Sequence, residues 1–273
     1  MKFTKAHAYG NDFLYVLQSD AHGAALDVLA REMCDRHTGI GADGLIVYER
    51  TKTGGAMRLF NADGSRAEVS GNGVRALAAF LLREDRRPSA EVIVQTEAGT
   101  KHLVRTEQSA QRQAFCAEMG APVGLRQVSL SAAGELLQTV VLNMGNPQCV
   151  ILGPLPDEQR FQRLGRALER HEYFPEGTNI EFAQVEAPGR VRVLIWERGC
   201  GPTLSSGTGS CAALVAAAAF GGAARDAEVV APGGSQRVEW RDTSVYLTGW
   251  AELICDGTWL RQIPRTPQNG THE

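Results

Sequence analysis

The 273-residue sequence predicts a mixed α/β protein built from two similar halves. Three observations carry that expectation. Short runs rich in Val, Ile, Leu and aromatic residues alternate with fewer helical patterns. Four anchor motifs recur, in the same order, half a chain later. Glycine is over-represented, at 30 of 273 residues where roughly 7% is usual.

The strand-like runs lie at 13–17, 45–48, 57–60, 91–95, 139–142, 191–196 and 245–247, mostly bounded by Gly, Asp or Asn. A first helix is predicted over 25–36, where Leu26, Leu29 and Met33 recur at near-helical spacing. A second starts near Gly71, with Val74, Leu77, Ala78 and Leu81 on one stripe, and stops at the charged stretch 83–87 before Pro88. Phe161, Leu164 and Leu168 predict a third over 157–170. The fourth, 207–220, is apolar nearly all round and ends at Gly221-Gly222, which places it inside the protein.

The repeat is specific. Gly10-Asn11 opens DFLYVL and Gly145-Asn146 opens PQCVIL; Gly44 begins LIVY and Asn179 begins IEF. MRLFNADG and VLIWERGC place Asn61 opposite Glu197, and Ser-Gly-Asn-Gly at Ser70 matches Ser-Gly-Thr-Gly at Ser206. The successive offsets are 135, 135, 136 and 136 residues, which marks a duplicated unit. The expected halves are 1–120 and 121–262, joined near 119–127 by the Pro/Gly-rich Met119-Gly120-Ala121-Pro122-Val123-Gly124. The polar, proline-broken tail 263–273 is expected to fray.

Composition excludes several classes. Lys+Arg total 28 against 31 Asp+Glu, a formal charge of −3, so there is no basic footprint for nucleic acid or an anionic membrane. The most apolar run, 211–220, is half the ~20 residues a membrane-spanning helix needs. The N-terminal stretch lacks an uninterrupted apolar segment, and the six cysteines are scattered without a C-x-x-C pair. Only Cys34 has a histidine at ligand spacing, His37, which is no metal site. A cytoplasmic protein with reduced thiols and no metal is expected.

The glycine surplus gathers at turns that can hold a ligand. Ser70 and Ser206 sit at helix N-cap positions, and the glycines after them strip side chains from the first turn. Such a helix start offers N–H donors and the positive end of the macrodipole to an anion. If the halves pack face to face about their equivalent loops, both starts serve one small carboxylate ligand. Asn61 and Glu197-Arg198 lie at strand ends eight or nine residues before the caps. Arg198 can pair a carboxylate, while Asn11, Asn61, Asn72, Asn146 and Asn179 supply donors and acceptors for a polar zwitterion.

The runs HAYGNDF, FNADGSRAEVSGNGVRALAAFL, MGNPQCV, FPEGTNIEF, WERGCGPTLSSGTGSCAA and PGG resemble the diaminopimelate epimerase family along almost the whole chain. The resemblance implies two pseudo-symmetric halves, each a mixed sheet curled about a central helix. It implies inversion at the α-carbon of LL-2,6-diaminopimelate to the meso form without a cofactor, on the route to lysine and peptidoglycan, by a homodimer. The family's substrate shell falls on Asn11, Asn61, Gly71, Asn72, Asn146, Asn179, Glu197, Arg198, Gly207 and Thr208. The asparagines and Arg198 would grip the distal amino-acid end, and the helix starts would take the reacting α-carboxylate. The family's two proton-transfer cysteines are here Ser70 and Ser206, and its histidine after MGNP is Gln148. Gly44 stands where some members carry glutamine. A thiol ionises near pH 8.5 and lower at a helix start, whereas a hydroxyl needs an adjacent base. Of the polar set, Glu197 is the one carboxylate able to act as that base. Two further readings stay open: a racemase or isomerase of a related amino or hydroxy acid, and an amino-acid-binding protein without catalysis.

Overall fold

The duplication in the sequence reappears as a duplicated pairing scheme in the computed structural model, which describes residues 1–67, 69–109 and 111–265. In chain order the elements are β1 (Lys2–Ala8), β2 (Asn11–Leu17), α1 (Leu26–Cys34), β3 (Gly44–Thr51), β4 (Gly54–Asn61), β5 (Arg66–Ala67), α2 (Gly71–Leu81), β6 (Glu91–Thr96) and β7 (Gly99–Gln108). There follow β8 (Arg112–Gly120), β9 (Val123–Ala132), β10 (Glu135–Asn143), β11 (Pro147–Leu152), α3 (Glu158–Glu169), β12 (Asn179–Ala187), β13 (Arg190–Glu197) and β14 (Gly201–Thr203). The last are α4 (Gly207–Ala216), β15 (Asp226–Ala231), β16 (Gly234–Arg241) and β17 (Ser244–Thr258).

The chain forms two compact units, one of Met1–Ala114 with the chain from Trp250 on, the other of Phe115–Gly249. In the first, β1 pairs antiparallel with β2, β2 parallel with β3, β3 antiparallel with β4, β4 parallel with β6, and β6 antiparallel with β7. The second unit repeats this order through β10, β11, β12, β13, β15 and β16. Each parallel pair is joined across a helix, β2–β3 by α1, β4–β6 by α2, β11–β12 by α3 and β13–β15 by α4, as a parallel connection requires.

The second helix of each unit is its axis. Almost every residue of α2 from Asn72 to Phe80 is buried, and it packs on β1, β2, β4, β6 and β7. The apolar α4 is buried from Gly209 to Ala216 against β10–β13, β15 and β16. A helix that touches so many strands of its own unit has the sheet curled round it. The other face of β11–β13 is covered by α3, where Phe161, Leu164 and Leu168 meet Cys149, Ile180, Phe182 and Trp196. Strands covered on both faces read as continuous apolar runs, which explains PQCVIL and LIVY. Gly165 permits that close approach, since a Cβ there would lie 2.4 Å from the Trp196 ring.

The expected boundaries shift at four places. Residues 250–262, assigned from sequence to the C-terminal half, complete the first unit, because the end of β17 pairs antiparallel with β1 from His7↔Glu252 to Lys2↔Thr258. The expected connection 119–127 is mostly strand: Gly120 ends β8 and Val123 begins β9, with Gly124 (φ 70°) at an irregularity in the β9–β10 ladder. Glycine there relieves a bulge within a strand, as it does within many strands. The start of the expected tail is tied down, with Ala25 N–H donating to the Pro264 carbonyl (2.8 Å) and Ala24 bridging Arg265; 266–273 lie outside the described residues. The fourth helix leaves α-geometry at Ala217, continues as a π-turn through Gly221, and exposes Phe220.

Candidate active site

In the first unit, Ser70 enters α2 from an extended conformation (φ −128°, ψ 123°), and its Oγ accepts from the Gly73 N–H at 3.2 Å. This satisfies one of the four N–H groups that a helix start leaves open, and the glycines keep the others accessible. Gly73 sits close to the sheet: a Cβ would stand 2.8 Å from Ile46 Cδ1, and its carbonyl accepts from the buried Tyr15 hydroxyl at 2.9 Å. Asn72 is buried; its Oδ1 accepts from Arg75 Nη1 (2.9 Å) and its Nδ2 donates to Asn11 Oδ1 (3.4 Å). Asn11 in turn donates to Asp43 Oδ2 at 2.9 Å. The structure thus brings Asn11 and Asn72 together beside the Ser70 turn. Asn61 ends β4 opposite Gly44, is exposed, and donates to Ser65 Oγ at 2.9 Å within its own turn. Gly71 is exposed with open space where a side chain would be.

The second unit repeats the turn with different chemistry. Ser206 is buried, extended (φ −135°, ψ 132°), and accepts from the Gly209 N–H at 3.3 Å. Glu197 ends β13; burial pushes its carboxyl above the usual range, and a hydrogen bond with the Ser206 hydroxyl pulls it partly back. Asn179 begins β12 and its Oδ1 accepts from the Arg198 N–H at 2.9 Å. The exposed Arg198 side chain donates from Nη1 to the Glu176 carbonyl at 2.8 Å. Asn146 Oδ1 accepts from the buried Gln148 Nε2 at 2.6 Å. Gly207 and Thr208 are half-buried in the first turn of α4.

Four residues near these turns escape the sequence reading. Arg75 and Asp43 orient the asparagines, Tyr15 holds the Gly73 carbonyl, and Glu181 lies under Gly209. Two of them leave a trace in the sequence: Arg75 is the one charge in the apolar run 71–81, and Glu181 the one charge in 179–183.

Two units of this topology make a fold that a predicted epimerase from Pseudomonas aeruginosa shares. That solved structure aligns over 96% of this chain and 99% of its own with a TM-score of 0.70 at 14% identity. The profile of diaminopimelate epimerase matches residues 3–124 and 140–254. The diaminopimelate epimerase of Desulforudis audaxviator (strain MP104C) is 38% identical, covering 96% of this chain and all of that protein. That of Desulfitobacterium hafniense (strain DSM 10664 / DCB-2) is 36% identical over 95% of this chain and 98% of that protein. The chain belongs to the diaminopimelate epimerase family, a family of isomerases.

Proposed function

We propose that the chain is an amino-acid epimerase acting without a cofactor at the α-carbon of LL-2,6-diaminopimelate to give the meso form. The observation that carries this reading is the duplicated Ser-Gly-x-Gly helix start, each with its serine locked to the third residue of the turn. A helix start of this kind suits an α-carboxylate, whose added charge on proton loss it stabilises. Asn11, Asn61, Asn146, Asn179 and Arg198 are assigned to the polar ends of the substrate. Glu197 acts as base, taking the α-proton directly or through the Ser206 hydroxyl; a water molecule supplies the proton that returns to the opposite face, and Ser70 and Ser206 act as hydrogen-bond donors. The same reading makes the protein a cytoplasmic homodimer supplying lysine and peptidoglycan synthesis.

The double serine favours two competing readings, binding without turnover and action on a related amino or hydroxy acid. Incubation with LL-diaminopimelate in deuterated water separates them. Deuterium at the α-carbon together with meso product supports epimerisation. Calorimetric binding without exchange shows a binding protein, and no binding overturns the substrate assignment. The double variant Ser70→Cys with Ser206→Cys is expected to raise inversion on the order of a hundredfold, the scale of a well-matched acid–base pair.

A further inference from the structure

The two helix starts rest on different floors. Under the Ser70 turn stand Phe13 and Ile46, which a Cβ on Gly73 would meet at 3.6 and 2.8 Å. One repeat later the matching residues are Gln148 and Glu181, and a Cβ on Gly209 would meet Glu181 Oε1 at 2.9 Å. Glu181 has no surface exposed to solvent, and neither carboxyl oxygen has a hydrogen-bond partner among the described residues. The equally buried Gln148 Oε1 and Ser210 Oγ are in the same position.

We infer that Glu181 is a positioning residue for proton transfer at the Ser206 turn, holding Glu197 ready as base and making the second unit the proton-transfer half of the molecule. This rests on the epimerase reading above. An ionised carboxylate buried without a partner costs several kcal/mol, so the group takes up a proton instead. Burial first, and the charge of Glu197 second, drive it in that direction. The titratable groups that bear on it are Glu197 on β13 and the Cys149 thiol on β11, itself pushed up to about 12. The covering helix α4 carries no Asp, Glu, His, Lys or Arg. Register places Glu181 opposite Ile195, so Glu197 is its diagonal neighbour on the same face of the antiparallel pair. Long side chains reach each other across such a diagonal. Without a partner among the described residues, the protonated carboxyl keeps a free O–H on the face it shares with Glu197, a donor available to that carboxylate, and adds no second charge that would oppose its ionisation. In the first unit the matching residues are Ile46 and Asn61, neither acid nor base, so Ser70 there donates a hydrogen bond only.

Infrared spectroscopy of the full chain at neutral pH reads the protonation itself. The carbonyl stretch of a protonated carboxylic acid is expected, and Glu181→Gln removes it; a native spectrum without that band overturns the inference. The second arm follows α-deuterium exchange into diaminopimelate. Glu181→Ile, which copies the floor of the first unit, is expected to lower kcat roughly tenfold or more with KM unchanged, and Glu181→Gln to recover most of that loss. Equal losses in both variants, or a change in KM alone, overturn the positioning role. Absence of exchange by the native chain overturns the substrate assignment instead, and the infrared band still decides the state of Glu181.

Discussion

Arg105 has no exposed surface, yet its guanidinium is well used. It donates to the carbonyls of Leu82 (3.1 Å), Asp85 (3.1 Å) and Arg87 (2.5 Å) and to Gln113 Oε1 (3.0 Å), closing the C-terminal end of α2. Arg105→Met removes these donors, that of the buried Gln113 Oε1 among them, an expected loss of about 3 kcal/mol in chemical denaturation. Asp12 shows the opposite balance of forces. Burial works against its charge, but hydrogen bonds from Arg36 and Lys5 win and hold it below the usual range. Glu181 has no such help and is raised well above its ordinary value of 4.5. Its folded form therefore binds a proton that the unfolded form has lost above about pH 4.5. Native stability falls as pH rises through that window, because the native state holds more protons. Glu181→Gln is expected to flatten this decline, with a stability advantage that grows with pH; parallel denaturation curves from acid to neutral pH would contradict it. The raised Glu197 carboxyl makes a second pH statement. Exchange of the α-hydrogen is expected to fall as acid protonates that base, with a midpoint above the ordinary 4.5 of a glutamate.

At the scale of elements, close approaches decide which residues are allowed. The α3 helix lies on β13 only because Gly165 leaves room for Trp196, whose indole N–H donates to Glu169 Oε2 at 2.7 Å. Gly165→Ala overpacks that contact and is expected to cost about 2 kcal/mol, read as a lowered Tm. The helices, their order and their caps are legible in the sequence, because 3.6-residue periodicity and a capping serine are local signals. The Ser70 and Ser206 turns are legible for the same reason. Several strands are less so. β7 and β9 carry exposed polar residues at alternate or successive positions, and only pairing to their neighbours makes them strands.

At the scale of the molecule, the first unit is discontinuous. The end of β17 supplies the antiparallel partner of β1, and Trp259 joins the cluster of Leu14, Leu29, Met33 and Leu45. A chain ending at Gly249 is expected to lose this closure while Phe115–Gly249 keeps all its own strands. Limited proteolysis then cuts first within residues 1–114; equal resistance of the shortened and full chains would refute this. The return of the chain was not legible, because antiparallel partners as far apart as Lys2 and Thr258 leave no mark in local composition.

The sequence by itself determined the mixed α/β class, the duplication at 135–136 residues, and the two serine-capped glycine turns. Each is written in residues that are neighbours along the chain. Only the tertiary structure decided that the two turns differ beneath their glycines, Phe13 and Ile46 under Gly73, the Glu181 carboxyl under Gly209. The physical reason is that a carboxyl's proton affinity depends on what surrounds it. For Glu181 that surrounding is assembled by strand register and by a helix that closes over it.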